Sequence, residues 1–240
     1  MDIKKTWLVE KPIAHRGLHN AKFPENSLAA FEHAIKHGFA IETDVRAIDD
    51  GAPVIFHDEG LSRMTGRDGY VCNLKKEELA ELRLLKTEEK IPLFSEFLEF
   101  VNGRAPILIE IKNVNKIGAL EKAVIDALAD YKGEFAVQAF NPHCMEFFRI
   151  NAPHVIRGQL SCYFKKDSNL SRVKRYALKR LMLNKASRPD FIAYSHENLP
   201  NRWVSRTKLP VLAWTVRSNA EYERVKEFCD NIIFENFKPQ

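Results

Sequence analysis

Short runs rich in β-branched and aromatic residues recur along the whole chain, and helical patterns lie between most of them. Eight such runs are IAHRG near residue 13, AIETDVR near 40, ILIEIK near 107, FAVQAF near 135, VIRGQL near 155, FIAYS near 191, VLAWTV near 211 and NIIFENF near 231. Strands that alternate with helices form a parallel sheet. Eight such units in 240 residues predict an α/β fold, a (β/α)8 TIM barrel.

The segment between the first two runs has recognisable helix ends. Asn26 and Ser27 are N-cap candidates before LAAFEHAIKH, and Gly38 is a stop signal after it. Phe31, Ala34 and Ile35 form one apolar face of the resulting helix. The segment is therefore predicted to be an amphipathic helix that packs against the strands.

Two segments depart from the alternation. PVIFHD near 53 follows the second run after an Asp50-Gly51 turn signal, so the second strand is predicted to be either long and bent or doubled. Residues 59–92 are polar, charged and longer than an ordinary βα loop, which predicts a cap inserted over the mouth of the barrel. Without a linker-like composition anywhere, residues 1–240 are predicted to form one domain with this insertion.

Composition narrows the class of protein but not the partner. With 45% hydrophobic and 29% charged residues the chain is typical of a globular enzyme. A net charge of +5, among 37 basic and 32 acidic side chains, is too small to select between a phosphorylated substrate, a nucleic acid and an anionic membrane. The four cysteines form no CxxC pair, and no signal-peptide core or transmembrane run is present, so a cytoplasmic protein is expected.

Residues 165–188 concentrate positive charge. The basic residues are Lys165, Lys166, Arg172, Lys174, Arg175, Lys179, Arg180, Lys185 and Arg188. Helical spacing relates the apolar residues Leu170, Val173, Ala177 and Leu181, so the segment is predicted to be an amphipathic basic helix. Packing of its apolar side on the strands, with a solvated charged face, is favoured over the alternative of docking on an anionic membrane.

Strand periodicity brings carboxylates together. Glu42 and Asp44 lie two residues apart in IETDVR, so both side chains leave the same face of the strand. In LIEIK, Glu110 and Lys112 likewise face inward. A buried carboxylate without a partner costs several kcal/mol, so something positive is expected among these groups.

Three carboxylates without a nearby cysteine form an oxygen-rich site, which suits a divalent metal ion such as Mg²⁺, Ca²⁺ or Mn²⁺ better than zinc. The alternative is an internal ion-pair network in which Arg16, Arg46 and Lys112 alone neutralise the acids. Removal of Glu42 or Asp44 is expected to weaken metal binding, whereas Glu32 and Glu121 fall on predicted helix faces and are expected to be replaceable without that effect.

Two histidines are expected at the same edge. His15 with Arg16 ends the first run and His57 with Asp58 ends PVIFHD, so both imidazoles should reach the C-terminal mouth, where barrel active sites lie. Imidazole transfers protons near neutral pH, and guanidinium binds phosphate through paired hydrogen bonds. These groups beside a metal and a lysine indicate phosphoryl chemistry.

In order along the chain, HRGLHN, PENSLAAFEHAI, IETDV, VIFHDEGLSRMTG, IEIK and WTV resemble the glycerophosphodiester phosphodiesterase family. The likeness runs from Ile13 to about Phe237. It implies the following roles: His15 and His57 as general acid and base, Arg16 and Lys112 as phosphate ligands, and Glu42, Asp44 and Glu110 as metal ligands.

The resemblance also implies that Trp214 lies against the glycerol moiety of the substrate. It suggests that Glu25 and Asn26 order the loop beside the site, although Asn26 is equally suited to be a plain helix cap. The chain departs from the family pattern at IIFENF near 231 and at Gln138-Ala139-Phe140, where a serine is frequent before the phenylalanine, so the resemblance leaves the released alcohol open. Residues 59–92 are predicted to shape the pocket for that alcohol.

The implied reaction is the metal-dependent hydrolysis of a small-molecule glycerophosphodiester to sn-glycerol 3-phosphate and an alcohol, without a nucleic-acid partner. The attacking group is left open between the substrate's 2-hydroxyl and water, as are the division of acid and base between the histidines and the oligomeric state. Two alternatives remain, a phospholipase D-like enzyme acting on lysophospholipids and a catalytically silent barrel that binds phosphodiesters.

Overall fold

The structure is a computed structural model that describes residues 3–113, 116–165 and 170–239. Its strands are β1 (Ile13–Ala14), β2 (Ala40–Ala47), β3 (Pro53–Ile55), β4 (Ile107–Ile111), β5 (Phe135–Ala139), β6 (Arg157–Ser161), β7 (Phe191–Ser195), β8 (Val211–Val216) and β9 (Asn231–Phe234). Its α-helices are α1 (Trp7–Glu10), α2 (Leu28–Lys36), α3 (Ser62–Thr65), α4 (Phe94–Val101), α5 (Ala119–Leu128), α6 (Pro142–Asn151), α7 (Arg172–Lys179), α8 (Asn184–Ser187), α9 (Arg202–Ser205) and α10 (Asn219–Val225). Short 3₁₀-helices lie at Ile3–Lys5, Val71–Asn73, Lys76–Ala80, His196–Asn198 and Lys226–Phe228.

All eight predicted strands are present, and helices separate most of them. The fold is a (β/α)8 TIM barrel, so the predicted fold class is confirmed. The extra run near residue 53 is β3, which pairs antiparallel with β2 and places Ile55 opposite Val45. The second strand is therefore doubled into a β2–β3 hairpin.

By their internal contacts the described residues group into two compact units, an N-terminal unit (residues 14–135) and a C-terminal unit (residues 1–13 and 136–240). In the N-terminal unit β2 pairs in parallel with β4, with Asp44 opposite Glu110. Helices α2 and α4 meet through Phe31 and Phe97, whose ring centroids lie 4.7 Å apart. The N-terminal unit thus has its own sheet and its own apolar layer, while the single domain stays a prediction.

Residues 59–92 have a hydrophobic cluster of their own. The cluster joins Leu61, Met64, Val71, Leu74, Leu79, Leu82, Leu84 and Ile91 to Ile48, Val54 and Phe56 of the hairpin region. The segment is thus a folded element seated on the β2–β3 hairpin, because its apolar residues are buried there. That it caps the mouth of the barrel stays a prediction.

In the C-terminal unit, strands β5 to β9 pair in parallel, each with the next. The packing is tight at Gly158 of β6, where a Cβ atom would lie 2.2 Å from the ring of Phe191. Only glycine leaves room for that buried ring. Within the described residues, none of the helices is long and apolar enough to cross a bilayer.

Glu121 lies in helix α5, as the sequence predicts, and its carboxylate is enclosed there. This residue is fully buried at the start of α5, and its carboxylate accepts hydrogen bonds from the Gly118 backbone N–H at 2.8 Å and from Asn113 Nδ2 at 2.8 and 2.9 Å. The carboxylate satisfies a free N–H at the beginning of the helix, as N-terminal capping groups do. Glu121 is therefore a structural residue.

We predict that Glu121→Ala lowers the free energy of unfolding by roughly 2 kcal/mol, because it leaves buried donors unpaired. The matched control is Glu32→Ala, since the Glu32–Arg104 pair is largely accessible to solvent and such surface pairs contribute about 0–1 kcal/mol. Urea denaturation of both variants measures the difference. Equal losses of stability in the two variants would contradict the prediction, because the buried Glu121 contacts would then stabilise the fold no more than a surface ion pair does.

Candidate active site

Three buried carboxylates converge where β2 runs beside β4. Asp44 lies opposite Glu110 in the register, and Glu42 precedes Asp44 by two residues, so strand alternation places all three side chains on one face. Their exposed fractions are 1% for Glu42, 0% for Asp44 and 6% for Glu110. One oxygen atom of each lies within 4.8 Å of the others. The structure therefore brings together the three acids that the sequence singled out.

Two cations face these three acids. Lys112 Nζ lies 2.6 Å from Glu110 Oε1 and 3.3 Å from Asp44 Oδ1, and Arg16 Nε lies 3.3 Å from Asp44 Oδ2. Glu42 accepts a hydrogen bond of 2.9 Å from the Arg16 backbone N–H, but no side-chain cation pairs with it in the described part of the chain. Ion pairs thus offset two of the three negative charges.

The third cation of the ion-pair alternative is used elsewhere. Arg46 Nε donates to the backbone oxygen of His57 at 2.7 Å. Among the described residues, Arg46 forms no ion pair with the three acids. The alternative in which ion pairs alone neutralise the three carboxylates therefore lacks one of its three cations.

The charges act on one another through a buried environment. Burial, together with the charges of Asp44 and Glu110, raises the pKa of Glu42 well above its ordinary value. Burial also raises the pKa of Glu110, against the opposing effect of Lys112. On Asp44 burial acts in the same direction, but Lys112, His57 and Arg16 outweigh it and hold the pKa below its usual range. A cation among these oxygens would relieve the crowding at Glu42 and Glu110.

A sharp bend after β1 presents the next residues to the acids. Arg16 and Gly17 have φ angles of 55° and 77°. A Cβ atom on Gly17 would lie 2.9 Å from the carbonyl carbon of Ala30, so only glycine fits there. The bend directs the Arg16 N–H at Glu42, and His15 lies near enough to Asp44 to lower the pKa of that carboxyl.

His57 is held by a chain of charged groups. Its Nδ1 lies 2.6 Å from Asp58 Oδ1, while Asp58 Oδ2 accepts from Arg63 Nε at 2.5 Å. The terminal nitrogens of Arg63 donate to Glu25 at 2.9 and 2.6 Å, and Glu25 also accepts from Arg16 at 2.8 Å. Arg63 therefore links the residue beside His57 to the residue beside Arg16.

The electrostatics of this chain favour a neutral imidazole. Burial lowers the pKa of His57 to about 4. Hydrogen bonds from Arg63 and His57 outweigh the effect of burial on Asp58 and lower its pKa to about 2. With an ionised Asp58 accepting from Nδ1, Nε2 is left as the proton-accepting nitrogen of His57.

Asn26 is not the helix cap. Ser27 caps α2, accepting from the Ala30 N–H at 3.2 Å. Asn26 is buried, donates from Nδ2 to Asp44 Oδ2 at 2.9 Å, and accepts from Thr43 Oγ1 at 2.8 Å. The cap alternative is therefore wrong, and Asn26 orients a carboxylate of the site.

Sequence reasoning missed Arg63. It lies in the polar segment 59–92, where nothing in the sequence distinguishes it from the other charged residues, which are expected to face solvent. The available signal was the proximity of Arg63 to the His57-Asp58 pair along the chain, five residues beyond Asp58. Proximity along the chain does not by itself show that Arg63 pairs with Asp58.

Trp214 lies on β8 of the C-terminal unit. Its ring meets Phe140 edge-on, with centroids 5.4 Å apart and planes at 85°. Its buried Nε1 has no hydrogen-bond partner among the described residues. Contact between Trp214 and glycerol stays a prediction.

Known proteins resemble the chain over almost its whole length. A model of the "Glycerophosphoryl diester phosphodiesterase family" matches residues 15–237. A glycerophosphodiester phosphodiesterase of Caldanaerobacter subterraneus subsp. tengcongensis is 29% identical over 235 residues, which cover 92% of each chain.

Solved structures share the fold. A phosphodiesterase of Oleispira antarctica, in complex with the product sn-glycerol-3-phosphate, aligns with a TM-score of 0.80 at 22% identity and covers 95% of this chain and 94% of that one. A glycerophosphodiester phosphodiesterase of Thermotoga maritima aligns with a TM-score of 0.71 at 24% identity, covering 92% of each chain. On the extent of the family match, the chain belongs to the glycerophosphoryl diester phosphodiesterase family, which confirms the predicted family and enzyme class.

Proposed function

We propose that this chain hydrolyses glycerophosphodiesters to sn-glycerol 3-phosphate and an alcohol, and that it needs a divalent metal ion to do so. The observation that carries the proposal is the convergence of Glu42, Asp44 and Glu110 with Arg16 and Lys112 in one buried cluster. Membership of the family and the product bound to the Oleispira antarctica enzyme support the choice of substrate class.

The donor set fits a hard divalent cation. Glu42, Asp44 and Glu110 would hold the ion through carboxylate oxygens, which favour Mg²⁺, Ca²⁺ or Mn²⁺. Asp44 Oδ1 is buried and forms no hydrogen bond among the described residues, and Lys112 Nζ lies 3.3 Å from it, so a bound metal ion would add a closer positive partner. When bound, the ion supplies Lewis-acid polarisation of a phosphate oxygen.

Arg16 and Lys112 are the proposed phosphate ligands. Both side chains are held in place by the carboxylates before a substrate binds, so they lose little conformational entropy when they bind the phosphate. Their positive charges would stabilise the negative charge that develops on the phosphate oxygens.

The histidines are the proposed proton-transfer pair. His57, neutral at pH 7 and with Nδ1 held by Asp58, is assigned the role of proton acceptor from the attacking hydroxyl group. His15 is then the donor to the departing alkoxide. The attacking hydroxyl belongs either to the substrate or to water, and the assignment holds for both. Trp214 is retained as the glycerol contact, with an Nε1 donor available.

Product analysis tests the proposal directly. We expect phosphorus NMR to show sn-glycerol 3-phosphate forming from glycerophosphocholine, with His57→Gln as the control for contaminating activity. Cleavage of lysophosphatidylcholine alone would instead indicate the phospholipase D-like alternative. Cleavage of neither substrate by the metal-loaded protein would indicate a silent barrel.

Metal removal should abolish activity. We expect dialysis against EDTA to remove the ion and the activity together, and Mg²⁺, Ca²⁺ or Mn²⁺ to restore activity, because Glu42 and its neighbours need a cation. Glu42→Gln and Asp44→Asn should bind the metal at least about 10-fold more weakly, whereas Glu32→Gln, on a half-buried helix face, should bind it normally. Full activity with no metal found by elemental analysis would overturn the site assignment.

Arg63 is proposed as a positioning residue. We expect Arg63→Gln to lower kcat/KM by roughly 10- to 100-fold, since both His57 and Arg16 lose their alignment. Arg63 lowers the pKa of Asp58, so its loss raises that pKa, and the acid limb of the pH–rate profile should move to higher pH.

Arg63→Lys should recover part of the activity. The matched control is Arg67→Gln, which removes an exposed arginine of the same segment that pairs with Glu78. A purely structural role would lower the stability of Arg63→Gln but leave the pH–rate profile in place, and that result would overturn the positioning role.

A further inference from the structure

Helix α7 does not pack as its sequence pattern suggested. The expected burial of its apolar stripe on the strands is wrong, because α7 buries none of its residues and Val173 is 78% exposed. Of the four residues of the stripe, only Leu181, which follows the helix, is buried. Lys166 of the predicted basic segment lies outside the described residues.

Exposed apolar side chains are concentrated around this helix. Of the eight large hydrophobic side chains that are exposed in the described part of the chain, four lie within residues 173–183: Val173, Tyr176, Met182 and Leu183. Single exposed hydrophobics need no explanation, but several within eleven residues of a charged segment make this segment a candidate interaction surface.

Positive charge surrounds the cluster. Residues 170–188 contain seven basic side chains and no acidic one. Arg180, Arg202 and Arg206 stack on Trp203, with guanidinium carbons 4.4, 4.1 and 5.6 Å from the centroid of its ring. We call residues 170–188 together with Arg202, Trp203 and Arg206 the basic face.

Five cations of the basic face lack a carboxylate partner among the described residues. Arg172, Lys174, Lys179, Arg180 and Lys185 form no ion pair with any carboxylate that the structure describes. Beside Trp203 lies an open groove of about 440 Å³, lined by Lys179, Arg180 and Arg202 among others. Its cations and aromatic rings are suited to a phosphate-bearing headgroup.

We propose that the basic face docks on an anionic membrane surface, with lipid phosphates against its cations and its exposed aliphatic side chains in the interface. Charge complementarity selects an anionic partner, and Tyr and Trp are the aromatic residues that favour the membrane–water boundary. A nucleic acid would use the same cations, but it would gain nothing from Val173, Met182 and Leu183. The proposal is independent of the reaction proposed above.

Co-sedimentation with vesicles tests the proposal. We expect the full chain to bind mixed vesicles of phosphatidylcholine and phosphatidylglycerol at low salt and to dissociate from them at high salt. It should not bind vesicles of phosphatidylcholine alone. The variant Arg172→Gln, Lys174→Gln, Lys185→Gln should bind about 100-fold more weakly, at roughly fivefold for each basic residue. The control Lys11→Gln, Lys90→Gln, Lys132→Gln loses the same charge outside the basic face and should bind normally.

A second variant separates the apolar contribution. Val173→Ser with Met182→Ser should weaken vesicle binding severalfold and leave its salt dependence unchanged, because no charge is removed. Hydrolysis of soluble glycerophosphocholine by the same proteins reports on the proposed reaction separately.

Three results would overturn the proposal: no phosphatidylglycerol-dependent binding, equal losses in the basic-face and control variants, or tighter binding to a short DNA duplex than to vesicles, lost in the same basic-face variant. The last result would assign the face to nucleic acid instead.

Discussion

The structure around the site depends on one costly arrangement, three carboxylates buried side by side on neighbouring strands. A buried acid without compensation costs several kcal/mol, so the surroundings of Glu42, Asp44 and Glu110 must supply positive charge and hydrogen-bond donors. Asp44 illustrates this requirement, since Lys112, Arg16 and Asn26 all contact it. The left-handed backbone at Arg16 serves the same end, because it turns an N–H toward Glu42. The conformational strain at Arg16 is thus offset by the hydrogen bond that its N–H donates to the buried Glu42 carboxylate.

That compensation extends into the segment of residues 59–92. Arg63 reaches from α3 to Glu25 and Asp58, and through them to Arg16 and His57. A flexible loop would hold these groups poorly, but the segment buries its own hydrophobic cluster on the β2–β3 hairpin. An insertion with a core can therefore act as a rigid support for a histidine that lies outside it.

Prediction from sequence succeeded where the governing interaction is local. Strand alternation pairs Glu42 with Asp44 whatever the tertiary contacts, and the eight strands follow from composition and spacing. It failed where the role of a side chain is set by a partner that is distant in sequence. Asn26 meets Asp44 across 18 residues and Arg63 meets Glu25 across 38, and no period relates them.

Helix faces fail for a different reason. A pattern shows which residues share a side, but it does not show what covers that side. Glu121 falls on a predicted helix face, yet the start of α5 encloses it. Val173 falls on a stripe predicted to pack on the strands, yet nothing in the described residues buries it.

The chain uses its cations in two physically different ways. Arg16 and Lys112 are fixed by carboxylates in a buried cluster, where salt screens little and geometry is set before a phosphate arrives. Arg180 and Arg202 are held by stacking on Trp203 instead, which leaves their charge available at the surface and subject to screening. Phosphate affinity at the first set should therefore depend weakly on ionic strength, and anion affinity at the second should depend on it strongly. A carboxylate neighbour fixes the position of a cationic side chain, so that it binds a phosphate in one geometry. An aromatic neighbour leaves the cationic group able to bind phosphates whose positions vary, as they do at a lipid surface.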